Sequence, residues 1–316
     1  MNSRGLRTPE YELHKGPGSR RIVLVGDSFL LIPSGPGDRF HISNCLRREA
    51  GRDGRPLEVI NFGVENTGPR YYLRMMELEA CRLGADCVIV FLFVGNDMTD
   101  EAVQVGPAPP GERLAQSSYA FRLFRTCRAL ATEVPFTSLA SYLSSLNPER
   151  RTTGGYYDGG GYWTAENPVF TEEAWFDIQL MRSAVFEEPW SSGIRQQWEE
   201  MVRVLGDMKR TADDAHTGLL VVLIPDVTQI DTSIQSRIRT IKGGIKLDFD
   251  KPQRELRAAC GRLGIETVDL LPAFRNASGQ RRPVYRIQDS HWTAYAQWLA
   301  AKLVTPAAIR TAQRSP

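Results

Sequence analysis

Apolar residues along this chain fall into short, dense runs separated by longer stretches in which they recur every three or four positions. The dense runs are residues 22–25, 57–62, 87–94, 219–224 and 265–270, and most are bounded by glycine or proline. Short apolar runs rich in β-branched residues and closed by a turn former read as strands covered on both faces of a parallel sheet. The stretches between them carry helical spacing. Residues 38–50 place Phe40, Ile42, Cys45 and Leu46 on one stripe, and residues 69–83 open on Pro69 and close at Gly84. Further helices are predicted over 192–215, 249–263 and 293–304, with loops following the fourth and fifth strands. Strands alternating with helices over the whole length predict the α/β class. The expected form is a flavodoxin-like three-layer α/β/α arrangement, with a central parallel sheet of about five strands and an inserted cap segment.

The alternation breaks once. Residues 1–20 form a polar lead-in, and residues 21–316 are expected to make a single domain with an insertion at about 100–190. The insertion carries a Pro/Gly linker at 106–111, an amphipathic helical pattern at 114–132 and a glycine-aromatic segment at 154–163. That last segment reads either as a stacking platform for a sugar or an acyl chain, or as an irregular loop whose rings pack on the scaffold. The second reading is the simpler one.

Composition narrows the function. Of the 316 residues 42% are hydrophobic and 24% charged, as in a soluble globular protein. With 39 basic against 37 acidic residues the net charge is +2, so no strong field recommends nucleic acid or an anionic membrane as partner. The five cysteines and four histidines show no Cys-x-x-Cys and no metal-ligand spacing, which argues against zinc and a disulfide framework. No cofactor is expected. The longest apolar run, 87–94, is too short to span a bilayer, and no apolar core of signal-peptide length precedes it. As written, the chain is expected to be cytoplasmic, with an upstream leader or anchor left open.

Chemistry concentrates where strands end. Ser28 follows the first strand in Gly26-Asp27-Ser28, Gly63 closes the second, Asn96 follows the third, and Asp289 and His291 precede the last helix. Open α/β sheets bind ligands outside the carboxyl ends of their strands. Acyl transfer by a serine needs a nucleophile, a base, a group that orients the base, and donors for an oxyanion. The chain supplies a candidate for each. Asp226, after the fourth strand, lies at the same edge and reads either as a residue lining the substrate pocket or, the favoured reading, as a structural one.

In these blocks the sequence resembles the SGNH, or GDSL-type, hydrolase family. Gly26-Asp27-Ser28-Phe29, Asn61-Phe62-Gly63, Gly95-Asn96-Asp97 and Asp289-Ser290-His291-Trp292 look like its four blocks, in the family's order, over a scaffold from about residue 20 to 305, with the inserted segment at about 100–190 outside the resemblance. The resemblance implies Ser28 as nucleophile, His291 as general base and Asp289 as the acid that orients it. The oxyanion hole would be made of the Ser28 N–H, the Gly63 N–H and the Asn96 side chain. It departs from many members in placing the acid two residues before the histidine, where they have it three before, at the position of Gln288. The segment 2–7 also resembles a lead-in that some relatives carry downstream of a membrane anchor.

The resemblance implies an esterase that removes a short acyl group such as acetyl from a small-molecule or carbohydrate ester, through an acyl-serine intermediate. An acyltransferase onto a carbohydrate or natural-product acceptor would use the same site. A catalytically idle carbohydrate- or lipid-binding module is the third reading. A dinucleotide-binding enzyme is excluded, because no Gly-x-Gly-x-x-Gly follows the first strand.

Overall fold

The structure, a computed structural model, describes residues 2–3, 6–31, 40–50, 57–99 and 170–314. All of these fall within one compact unit, Met1–Val103 with Tyr162–Pro316. The apolar runs form β1 (Arg20–Gly26), β2 (Leu57–Gly63), β3 (Cys87–Phe93), β4 (Gly218–Ile224) and β5 (Glu266–Asp269). Every pairing is parallel, in the order β2-β1-β3-β4-β5.

Alternation along each central strand sorts the core into two layers. Ile22, Leu24, Ile89, Phe91, Leu220 and Val222 face one cluster, and Val23, Val25, Val88, Val90, Val221 and Leu223 face the other. Strands covered on both faces have no polar side, which is why these runs are continuously apolar. Helices α2 (Ile42–Ala50) and α9 (Ala294–Arg314) cover the first face. Helices α3 (Pro69–Leu78), α5 (Ser192–Asp214) and α7 (Lys251–Arg262) cover the second.

The first face also receives α4 (Glu172–Arg182), α6 (Thr232–Ile241) and α8 (Leu271–Gly279) through Phe176, Ile238 and Phe274. The chain leaves β1 by way of α2 on one face and passes back to β3 by way of α3 on the other. The carboxyl ends of β1 and β3 therefore flank the crevice where such a sheet binds ligands. Ser28 stands at one of these ends, in the single turn α1 (Ser28–Leu31), and Asn96 follows the other.

Three expected features differ. Residues expected to be loop form α6, capped by the Asp231 carboxylate, which accepts from Ser233 N at 2.8 Å, and seated by Ile234 and Ile238. Loop was likewise expected where α8 stands; it buries Leu271, Phe274 and Ala277. The last helix does not stop at residue 304 but runs through Pro306 to Arg314. A proline inside a helix costs about 3 kcal/mol. The buried stripe Ala296, Ala300, Val304, Ala307 and Ala308 packs closely on the sheet and outweighs that cost. The linker, amphipathic and glycine-aromatic parts of the insertion lie outside the described residues; of that expected segment, 170–190 is described.

The lead-in runs beside the edge strand β2. Tyr11 packs edge-on to Phe62, and Arg21, wholly buried at the start of β1, donates to the Leu13 and Leu83 carbonyls and pairs with Glu58. Covering an edge in this way blocks strand addition by other chains.

One contact seats α1. Gly26 and Gly63 are paired across β1 and β2, and Leu30 rests on both. A Cβ at Gly63 would overlap the Leu30 Cβ, and one at Gly26 would lie 3.0 Å from Leu30 Cδ1 and 3.1 Å from the Phe91 carbonyl oxygen. Gly63→Ala is accordingly expected to lower unfolding stability by about 1–3 kcal/mol, the usual cost of overpacking, in urea denaturation. An unchanged midpoint would show that α1 is not held this way.

Candidate active site

At the end of β1 the backbone turns sharply under the control of Asp27. Its buried carboxylate accepts from Phe29 N at 3.0 Å, and its carbonyl accepts from Leu30 N at 3.1 Å. Asp27 thus shapes the turn and leaves the neighbouring Ser28 side chain to face outward from the strand end. The carbonyl of Leu30 is gripped twice, by the Asn61 side-chain amide at 2.7 Å and by His41 Nε2 at 2.7 Å. A carbonyl can only accept, so Nε2 of His41 carries the proton, and its Nδ1 accepts from Ser43 Oγ at 3.0 Å.

The structure brings Ser28, His291 and Asp289 into one hydrogen-bonded chain. Ser28 Oγ lies 2.8 Å from His291 Nε2, and His291 Nδ1 lies 2.6 Å from Asp289 Oδ1. The carboxylate accepts from Nδ1–H, which leaves Nε2 as acceptor for the serine hydroxyl. Asp289 Oδ1 also accepts from the His291 backbone N–H at 3.0 Å, and Oδ2 receives Arg286 Nη1 at 3.3 Å. The Arg286 N–H in turn donates to the His291 carbonyl at 3.0 Å, closing the loop on itself. Trp292, next in the chain, is buried and donates its indole N–H to the Phe29 carbonyl at 3.2 Å. The Phe29 ring lies edge-on to Trp292 and 5.2 Å from the imidazole. The last block is therefore bolted directly onto the turn that carries Ser28.

A serine hydroxyl bonded to an imidazole, itself held by a carboxylate, is an arrangement in which the hydroxyl can lose its proton as it attacks. Burial pushes the Asp289 carboxyl up, but the His291 hydrogen bond and charge, then the Arg286 charge, outweigh it and hold the group below its usual range.

The other two positions behave differently. Asn96 sits in the turn after β3, held from beneath by Asp97. That buried carboxylate accepts from Phe93 N at 2.8 Å and from the Tyr72 hydroxyl at 2.9 Å. The Gly63 N–H is already engaged: it donates to Asn61 Oδ1 at 2.9 Å, so it can serve an oxyanion only by sharing that bond. Asp226 is wholly buried and caps a short turn, accepting from Thr228 N at 2.8 Å, in keeping with its structural assignment.

Arg286 and His41 carry no motif of their own that marks them for these supporting contacts, and Asn61 stood in the second block without a role assigned to its side chain. Among the described residues no group of histidine, cysteine or acidic side chains could hold a metal ion. The described cysteines are free. Burial pushes Cys81 up to about 11 and Cys260 up to about 12, so neither offers a thiolate at neutral pH. Cys127 lies outside the described residues, and no described helix is long and apolar enough to cross a membrane.

Residues 184–315 match the family model described as SGNH hydrolase-like domain, acetyltransferase AlgX. That part of the chain is similar to the SGNH hydrolase-like domain of the model, and the match takes in Asp289 and His291. No curated protein matches the chain. Among solved structures, TesA is similar at 11% identity, covering 91% of this chain and 97% of that chain, with a TM-score of 0.47. The acetyl xylan esterase AlAXEase is similar at 11% identity, over 91% and 98%, with a TM-score of 0.45. A lipase/acylhydrolase from Enterococcus faecalis is similar at 11% identity, over 91% and 94%, with a TM-score of 0.42.

The depressed Asp289 carboxyl gives a signed expectation. Its folded-state pKa lies below the unfolded value, so its stabilisation is present above the usual carboxylate value of 3.8 and is lost as pH falls through the folded value. The stability difference between wild type and Asp289→Asn should therefore narrow steadily below about pH 4 in urea titrations. A difference that is constant with pH would mean that the carboxylate is not preferentially ionised in the folded state.

Proposed function

We propose that the protein is a serine-dependent carboxylic ester hydrolase that removes a short acyl group, such as acetyl, through an acyl-Ser28 intermediate. The observation that carries this reading is the continuous chain from Ser28 Oγ through His291 to Asp289, at 2.8 and 2.6 Å. His291 Nε2 takes the serine proton as Oγ bonds to the ester carbonyl carbon. Asp289 keeps the imidazole in the accepting tautomer and stabilises the imidazolium. The carbonyl electrons move onto oxygen, where the Ser28 N–H and the Asn96 side-chain amide are assigned as donors, with Gly63 sharing its bond to Asn61 as the charge develops.

Collapse of this intermediate expels the alcohol, which leaves with the proton from His291. Water then enters, gives a proton to His291 and attacks the acyl group, and collapse releases the acid as His291 returns that proton to Ser28 Oγ. No metal or organic cofactor takes part in any of these steps.

A second reading has an observation of its own. The family model over residues 184–315 is described by an acetyltransferase, which supports an acceptor hydroxyl, on a carbohydrate or natural product, replacing water in the second half-reaction. The two differ in what attacks the acyl-enzyme and not in the site. The idle binding module is disfavoured, since binding alone gives no reason for this hydrogen-bonded chain.

Nitrophenolate release from p-nitrophenyl acetate tests the mechanism. Ser28→Ala is expected to lose roughly 10⁴-fold or more in kcat, given the size of nucleophile deletions in serine enzymes. Asn96→Ala should lose about 10²–10³-fold, as for a single oxyanion donor. Full activity in Ser28→Ala would overturn the proposal. Products analysed with and without a sugar hydroxyl acceptor separate hydrolysis from transfer.

A further inference from the structure

The serine mechanism leaves one charged group beside the site unused. Arg182, the last residue of α4, stacks its guanidinium 5.2 Å over the Phe93 ring. Phe93 stacks on Phe29 at 4.6 Å, and Phe29 lies against His291. Arg182 Nη1 donates to Ser290 Oγ at 2.5 Å. Ser290 is buried and stands between Asp289 and His291, so this bond grips the backbone segment that carries both groups.

On its other side the same nitrogen lies 3.9 Å from Asp226 Oδ2. Asp226 has no exposure, and that oxygen has no hydrogen-bond partner. A buried carboxylate with one oxygen left without a hydrogen bond is costly, so a nearby guanidinium is the counter-charge the site needs. The Asp226 carboxylate also presses on the turn that bears Asn96: a Cβ on Gly95 would lie 2.5 Å from Asp226 Oδ2. Arg182 and Asp226 thus tie together the segment holding the base, the turn after β3 and the end of α4.

The placement of Arg182 is itself built in. Phe176, Gln179 and Ser183 bury one side of α4 and its continuation. The Thr228 hydroxyl bonds Gln179 at 3.5 Å, just beyond Asp226, and Arg182 follows one helical turn after Gln179.

We propose that Arg182 is a positioning residue for the Asp289–His291 segment, acting through the Ser290 hydroxyl with Asp226 as its buried counter-charge. This rests on the serine ester reading above. Ser290→Ala removes only the hydroxyl that Arg182 grips, and Arg182→Gln removes the charge and the fork. Arg182→Lys keeps the charge beside Asp226 and guards against a variant that fails to fold.

Misplacement of a catalytic segment by an ångström can cost about 100-fold, so Arg182→Gln and Ser290→Ala should each lose roughly 10- to 100-fold in kcat, with KM within about twofold. The double variant should be no slower than Arg182→Gln alone, because both changes break one contact. Lys at 182 should recover part of the loss. In proton NMR, the low-field signal of His291 Nδ1–H should broaden or vanish in both single variants.

Full kcat in Ser290→Ala, additive losses in the double variant, or an unchanged Nδ1–H signal would overturn the positioning role. Absence of any Ser28-dependent hydrolysis in wild type would instead sink the ester reading. The NMR signal would still report whether Arg182 holds the segment.

Discussion

The seating of Leu30 on two glycines is the constraint from which the site follows. Gly26 ends β1 and Gly63 ends β2, and their register places them side by side. No side chain fits at Gly63 without displacing Leu30. Once Leu30 is seated, its carbonyl is captured by Asn61 and His41, and the single turn α1 has no freedom left. Ser28 opens that turn, so its hydroxyl inherits a position set by packing and hydrogen bonds two residues away. Functional groups placed by locked neighbours in this way lose little entropy when they react.

The partner of the serine comes from the far end of the chain, 263 residues later, and the join is again apolar. Trp292 is buried between Phe29 and Phe91, and its indole donates to the Phe29 carbonyl. The imidazole therefore meets the hydroxyl because a tryptophan beside it is anchored in the core. The acid two residues before the histidine is satisfied on both oxygens, by the histidine itself and by Arg286. A short loop thus supplies the imidazole, the carboxylate and the guanidinium beside it from residues 286–291. Tyr285, just before it, donates its buried hydroxyl to the Pro225 carbonyl and ties that loop to the end of β4.

Much of this was legible before the structure. The dense apolar runs of β1, β3 and β4 are legible because a strand covered on both faces tolerates no polar side, and the glycines and Pro69 punctuate the turns they should. Ser28, Asp289 and His291 were legible because each lies in a short motif at a strand end or a helix start. What escaped has physical causes. The helices Thr232–Ile241 and Leu271–Gly279 are short, and each buries only a few apolar residues, so their signal is weak beside the polar residues around them. Continuation through Pro306 depends on an alanine stripe meeting the sheet, which no local rule contains. Arg182 has no motif at all. Its importance lies in meeting Ser290, 108 residues away, and the engagement of the Gly63 N–H by Asn61 appears only when side chains are in place.

The central claim is that Ser28 is a nucleophile activated by His291, and intact-mass analysis after treatment with a fluorophosphonate reads this without knowledge of the substrate. Wild type is expected to gain one phosphonyl group, located at Ser28 by peptide mapping. Ser28→Ala should gain none, and His291→Ala should react far more slowly. An unlabelled wild type, or equal labelling of Ser28→Ala, would contradict the account.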